Sequence, residues 1–321
     1  MMGLFLRKME NLSKLKQHPS QFLSMTSLTV EEFEMLLDSF DPHCTKYFYY
    51  HTLQGKPRKK ISFKEQKNAC LKGSGLKLFF LLSYFKNYPL QQFHASYFGV
   101  TQAKVSQLVK VLLPILEKTL KGMGLVPSTT PGQLKSELEK YQVWEANMDV
   151  TEREVNRSSD NEVQKEFYSG KKKRHTIKNN LLTEPSQYIL YLSETYEGTV
   201  HDKKICDIEK YSFPEKFLLR YDLGYIGYSP ENVTIEKPHK NTKLKPLTGQ
   251  QKLENKIISG KRVPIEQAIS GVKRLKVVAD KIRTFCREFR NSVMKIACAI
   301  HNLRVWSHVR AYTCARINLN F

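Results

Sequence analysis

Through roughly the first 120 residues apolar side chains recur at helical spacing, and beyond them short runs bounded by turn residues take over. The first regime predicts packed helices and the second predicts strands. Residues 28–40 form an amphipathic pattern with Phe33, Leu36, Leu37 and Phe40 on one face. Thr29 stands at its N-cap and Glu32 at the reciprocal capping position. Leu76–Tyr88 is a strongly apolar helix ended by Pro89. Two shorter patterns follow, Leu90–Phe98 and a helix capped by Thr101, separated by Gly99-Val100. The second carries Val105, Leu108, Val109, Leu112, Leu113 and Leu116 on its apolar side. This outline over about residues 90–117 reads as a helix-turn-helix, or as an ordinary three-helix packing unit. Under the first reading Gln102, Lys104, Ser106, Gln107 and Lys110 are the side chains that reach bases and phosphates from a major groove.

Periodicity breaks from Gly122 to Gly132, across Pro127-Ser128-Thr129-Thr130-Pro131. The expected organisation is an all-α DNA-binding domain over residues 1–125, a linker over 126–140, an α/β domain with a mixed sheet over 141–305, and a tail over 306–321 whose role is open. Expected strands are 141–150, 174–182, 188–192 and 216–221. Helical spacing returns over 264–280 and 285–305, with Pro264 placed as a first helical residue. Strands followed by helices imply an α/β fold.

Charge narrows the partners. The 321 residues hold 52 Lys and Arg against 31 Asp and Glu, a net charge of +21. Nucleic acid, an anionic membrane surface or acidic proteins could each balance it, and nucleic acid fits best. The stretch from Gly55 to Gly73 alone holds Lys56, Arg58, Lys59, Lys60, Lys64, Lys67 and Lys72 against Glu65. It reads as a solvated face or a phosphate-contacting arm. The longest apolar run, Leu78–Leu82, is too short to span a bilayer, and the N-terminus places its charges after its apolar residues, opposite to a secretory signal. A cytoplasmic, nucleoid-associated protein without membrane contact is expected. The six cysteines form no C-x-x-C pair and read as reduced thiols. The string Cys298, His301, His308, Cys314 matches no common zinc-finger spacing.

Two aspartates follow apolar residues where strands are expected to end, Asp149 after Asn147-Met148 and Asp222 after Leu218-Leu219-Arg220-Tyr221. Carboxylates at the rim of a sheet can share divalent cations and so support phosphoryl transfer, although strand-end aspartates also serve as turn formers.

Five ordered motifs then carry a family resemblance: Tyr168-Ser169-Gly170-Lys171-Lys172-Lys173-Arg174-His175-Thr176, Gly198-Thr199-Val200-His201-Asp202, Asp222-Leu223-Gly224-Tyr225, Pro238-His239-Lys240, and Lys261-Arg262-Val263-Pro264-Ile265-Glu266. Across residues 145–303 the chain resembles the DDE transposases of bacterial insertion sequences, most closely the branch that also resembles Harbinger-like elements. The resemblance implies a ribonuclease H-like catalytic domain with Asp149, Asp222 and Glu266 as metal-binding triad, holding two Mg²⁺ or Mn²⁺ ions. Asp202 is the rival second carboxylate. The signature Tyr-x2-Arg-x3-Glu-x6-Lys maps onto Arg262, Glu266 and Lys273, with Ser259 at the tyrosine position. Glu266 and Lys273, seven residues apart, share a helix face. Lys171, Lys172, Lys173, Arg174, His239, Lys240, Arg262 and Lys273 are expected to contact DNA. The implied activity is cleavage at transposon ends and strand transfer into target DNA, by a homodimer or larger assembly on terminal inverted repeats. A catalytically silent DNA-binding descendant and a nuclease without strand transfer are the alternatives.

Overall fold

The computed structural model describes residues 12–60, 65 and 69–318, with side chains to 308. Lys64 and Lys67 of the basic stretch, the N-terminal residues to 11 and the last three of the tail lie outside the described residues, as does the side chain of Cys314. Two units emerge. One comprises residues 1–126, 274–280 and 286–321, the other 127–273 and 281–285.

The first unit is helical. Helix α1 (Pro19–Thr26) precedes α2 (Val30–Tyr50), whose start carries the expected capping box. Thr29 Oγ1 accepts from the Glu32 amide at 3.2 Å and Glu32 Oε2 accepts from the Thr29 amide at 2.9 Å. The helix runs ten residues past the expected end, through Pro42, because Cys44 and Phe48 continue the buried row begun by Phe33, Leu36 and Phe40. Helix α3 (Gly73–Asn87) is buried on nearly every side, as its unbroken apolar sequence requires. Helix α4 (Gln91–Phe98) ends at Gly99, whose φ of 65° is left-handed and therefore suits glycine. Helix α5 (Gln102–Gly122) starts at Thr101, whose hydroxyl accepts from the Lys104 amide at 3.2 Å, and all six predicted apolar residues of this helix are buried.

The C-terminal boundary differs from expectation. Helix α11 (Arg287–Asn318) groups with the helical unit and not with the α/β unit, together with the short α10 (Lys276–Ala279). Its buried face includes Val293, Met294, Ala297, Ile300 and Leu303, while Asn302 donates to the Leu125 carbonyl at 3.0 Å and Lys295 pairs with Glu117. Cys298 and His301 are core residues of this helix. The segment expected as a linker is also structured. Ser128 pairs with Tyr191, and α6 (Leu134–Lys140) buries Leu134 and Leu138 in the core of the second unit.

The second unit is built on a mixed sheet of seven strands. These are β1 (Glu145–Glu154), β2 (Tyr168–Ser169), β3 (Arg174–Thr183), β4 (Ile189–Leu192), β5 (Tyr196–Glu197), β6 (Phe217–Arg220) and β7 (Val233–Glu236). Strand β3 pairs antiparallel with β1, β4 and β5, whereas β6 runs parallel to both β1 and β7. Helix α7 (Asn161–Phe167) lies between β1 and β2, α8 (Asp202–Glu209) between β5 and β6, and α9 (Gly249–Val272) after β7. Ala146 and Met148 point from β1 into a core with Cys206 of α8, Leu219 of β6 and a cluster of aromatic rings.

Candidate active site

Alternation along β1 sets the site. Ala146, Met148 and Val150 serve the core, so Asn147, Asp149, Thr151 and Arg153 share the opposite face. Asp149 therefore sits in the middle of a ten-residue strand and not at its end. Polar residues 151–154 hide this continuation from a hydropathy pattern, yet their ladder to β3 runs unbroken to the Glu154–Thr176 pair.

The parallel register of β1 and β6 aligns Asn147 with Arg220. Two residues beyond that pair come Asp149, still within β1, and Asp222, past the last paired residue of β6. Asp222 lies just past the end of β6, where its Oδ1 accepts from the Gly224 amide at 2.8 Å. Asp149 Oδ1 accepts from the Val150 amide at 2.8 Å, and Oδ2 faces the Arg262 guanidinium at 3.8 Å. Burial and then the Asp222 carboxylate push the Asp149 carboxyl up to about 6, while Arg262 and Lys171 pull the other way. A half-buried aspartate is thus held beside a like charge with incomplete compensation, which is the electrostatic setting a cation relieves.

Gly224 makes room for a second approach. A Cβ there would stand 2.8 Å from Asp202 Oδ2 and 2.9 Å from Asp222 Oδ1, so any side chain would make these carboxylates shift. Asp202 has its own counter-ion. The nearly buried Lys178 ammonium lies 3.2 Å from Asp202 Oδ1 and 3.9 Å from Glu152, and it donates to the Val200 carbonyl at 2.9 Å. Asp222, by contrast, acts on Asp149 as a like charge. No feature of the sequence singles out Lys178; only the pairing of β3 with its neighbours brings it to Asp202.

Helix α9 packs on β1 and begins fifteen residues before the expected position, so Pro264 lies inside it. Ile258, Arg262, Ile265, Ala268 and Val272 form its buried face. Glu266 follows Arg262 by one turn but is exposed, on the flank of that face. Among the described residues no three His, Cys, Asp or Glu side chains converge as a metal cluster; Asp149 and Asp222 act on each other as like charges, and Glu266 is exposed on its helix. The buried Nε of Arg262 has no hydrogen-bond partner among the described residues. Lys273 donates to the Glu152 carbonyl at 3.2 Å, and burial, then Lys172, lowers its pKa.

The remaining basic candidates lie on the surface. Lys171, Lys172 and Lys173 are exposed in the turn leading to β3, and Arg174 pairs with Glu154 at 3.0 Å. His239 meets Glu254 at 2.7 Å beside the exposed Lys240. In the helical unit Gln102, Lys104 and Lys110 are exposed and Ser106 and Gln107 half-buried; Gln102 donates to Gln91 at 2.5 Å. No helix among the described residues is long and apolar enough to cross a membrane.

Residues 148–302 match a family model described as DDE superfamily endonuclease, a span that contains Asp149, Asp222 and Glu266. A probable transposase for insertion sequence element IS702 from Microchaete diplosiphon is 28% identical over 142 residues. That alignment covers 44% of this chain and 51% of the relative, so the chain matches about half the relative's length. No solved structure matches.

Proposed function

We infer, from the match of residues 148–302 to a family model described as DDE superfamily endonuclease, a transposase that cuts DNA at the ends of an insertion sequence and joins the freed 3′-hydroxyl to a target phosphodiester. The observation that carries this reading is the Asp149–Asp222 pair, with the Asp149 carboxyl raised by burial and by its neighbour. Two oxygen-rich side chains in mutual repulsion suit Mg²⁺ or Mn²⁺. Asp149 and Asp222 would hold the metal, and Glu266, carried one turn beyond Arg262 on α9, would complete the set. When bound, a pair of such ions supplies activation of the attacking hydroxyl and stabilisation of the leaving oxygen.

The chain's own residues divide the other tasks. Arg262 keeps a positive charge 3.8 Å from Asp149 Oδ2, where it balances part of the carboxylate pair. Lys273 and the Lys171–Lys173 turn extend positive charge from that point along a DNA backbone. The strand order, with β3 antiparallel and β6 and β7 parallel to the side of β1, supports a ribonuclease H-like domain. Helices α4 and α5, joined through the left-handed Gly99, support a helix-turn-helix whose second helix reads terminal inverted repeats. Asp222 is preferred to Asp202 because Lys178 already balances the latter.

The test is metal-dependent cleavage and joining by the full chain, with Asp149→Asn and Asp222→Asn as variants. Both should abolish the two steps while binding of end DNA persists. Activity in the double variant would refute the assignment, and cleavage without any joined product would make the protein a nuclease only.

A further inference from the structure

We propose that the groove between the C-terminal half of α2, the turn after it and the middle of α5 receives an unpaired nucleobase of a DNA strand; this rests on the DNA-binding reading above and assigns that surface a second mode of contact. The groove has a volume of about 670 Å³, within the range of small-ligand pockets. Its floor is apolar, with Val111 and Ile115 both buried. One wall is aromatic: Tyr47 and His51 stack with ring centroids 4.9 Å apart and planes 20° from parallel, and Tyr50 stands beside them, 43% exposed.

Charge identifies the occupant. Lys46, Lys110 and Lys118 line the groove and, among the described residues, no carboxylate does. Rings that offer flat faces, set among cations of one sign, match a base with phosphates on either side, since every base has a face to stack and every linkage an anion to pair. A base in a duplex cannot offer its face, so the occupant must be extrahelical or single-stranded. Position agrees with this. Gln107 and Lys110 line the groove and also belong to the polar face of α5 expected to meet DNA, so a strand lying on that face passes the groove mouth.

The experiment measures binding of the full chain to three duplexes by fluorescence anisotropy: fully paired, with one extrahelical thymidine, and with one extrahelical abasic site. The thymidine duplex should bind about tenfold tighter than the abasic one, in line with the stacking of one base on an aromatic ring. Tyr50→Ala should erase that difference while changing affinity for the paired duplex by less than about twofold, and Tyr50→Trp should retain it. Tyr50 lies at the surface, so the fold should tolerate both changes. Equal binding of thymidine and abasic duplexes, or a Tyr50→Ala loss shared by all three, would overturn the proposal. Failure to bind even the paired duplex would instead overturn the DNA-binding reading on which it rests.

Discussion

Replacing Asp149 by asparagine should stabilise the second unit at pH 8 and not at pH 4. The carboxyl is raised from an ordinary 3.8 to about 6, first by burial and then by Asp222. The folded protein therefore holds this proton more tightly than the unfolded chain does. Below pH 3.8 the preference contributes its full stabilisation; as pH rises toward 6 that stabilisation is lost, and above 6 the ionised group adds nothing further. About two pK units at 1.36 kcal/mol each is roughly 3 kcal/mol. Asparagine has no proton to lose, so the variant should gain on the wild type by about 3 kcal/mol between pH 4 and pH 8. Urea unfolding read by Trp144 fluorescence, in a Trp306→Phe background, reports on the second unit. Mg²⁺ at millimolar concentration should narrow the gap at pH 8 by stabilising only the wild type. A difference between the two proteins that stays constant with pH would refute the strained carboxylate pair.

Asp222→Asn should lower the Asp149 pKa by removing the like charge, and a titration of the Asp149 side chain by NMR would show the midpoint fall; an unchanged midpoint would separate the two carboxylates. Asp202→Asn should act through folding, because it takes a counter-ion from the nearly buried Lys178, at a cost of about 3 kcal/mol; a chain equally stable but inactive would give Asp202 the role assigned to Asp222. Gly224→Ala should reduce cleavage more than stability, since its Cβ would displace Asp202 and Asp222 together; full activity would show that their approach is not needed. Changing Gln102 or Gln107 to Ala should relax preference for end DNA by about 1 to 3 kcal/mol per bidentate base contact. Equal affinity of the unaltered chain for end and random DNA in gel shifts would remove that recognition role.

Local chemistry was legible where one residue type has one strong preference. Thr29 with Glu32, Gly99 with Thr101 and the apolar row of α5 each locate an element boundary or face without tertiary information. Strand β3 was legible almost to its end for the same reason. What escaped depends on packing. Pro264 looks like a helix start, yet the Thr248 capping box begins α9 a full four turns earlier and the proline is absorbed on the way. Residues 126–140 look like a linker because their two anchoring leucines are isolated among polar residues. Helix α11 looks like the end of the second domain, but its apolar face finds partners among the N-terminal helices. The aspartate pair was legible only as two strand-associated residues far apart in sequence; the parallel register of β1 and β6 makes them neighbours. Glu266 was legible only through its family motif, since its own position is an exposed helix flank.

The most direct measurement incubates the full chain and Mg²⁺ with a DNA fragment carrying the sequences that flank its gene, together with a target plasmid, and sequences the products. The wild type should yield ends cut and joined to target DNA through their 3′-hydroxyls, and Asp149→Asn and Asp222→Asn should not. Joined products from the Asp149→Asn, Asp222→Asn double variant would contradict the assignment of this pair.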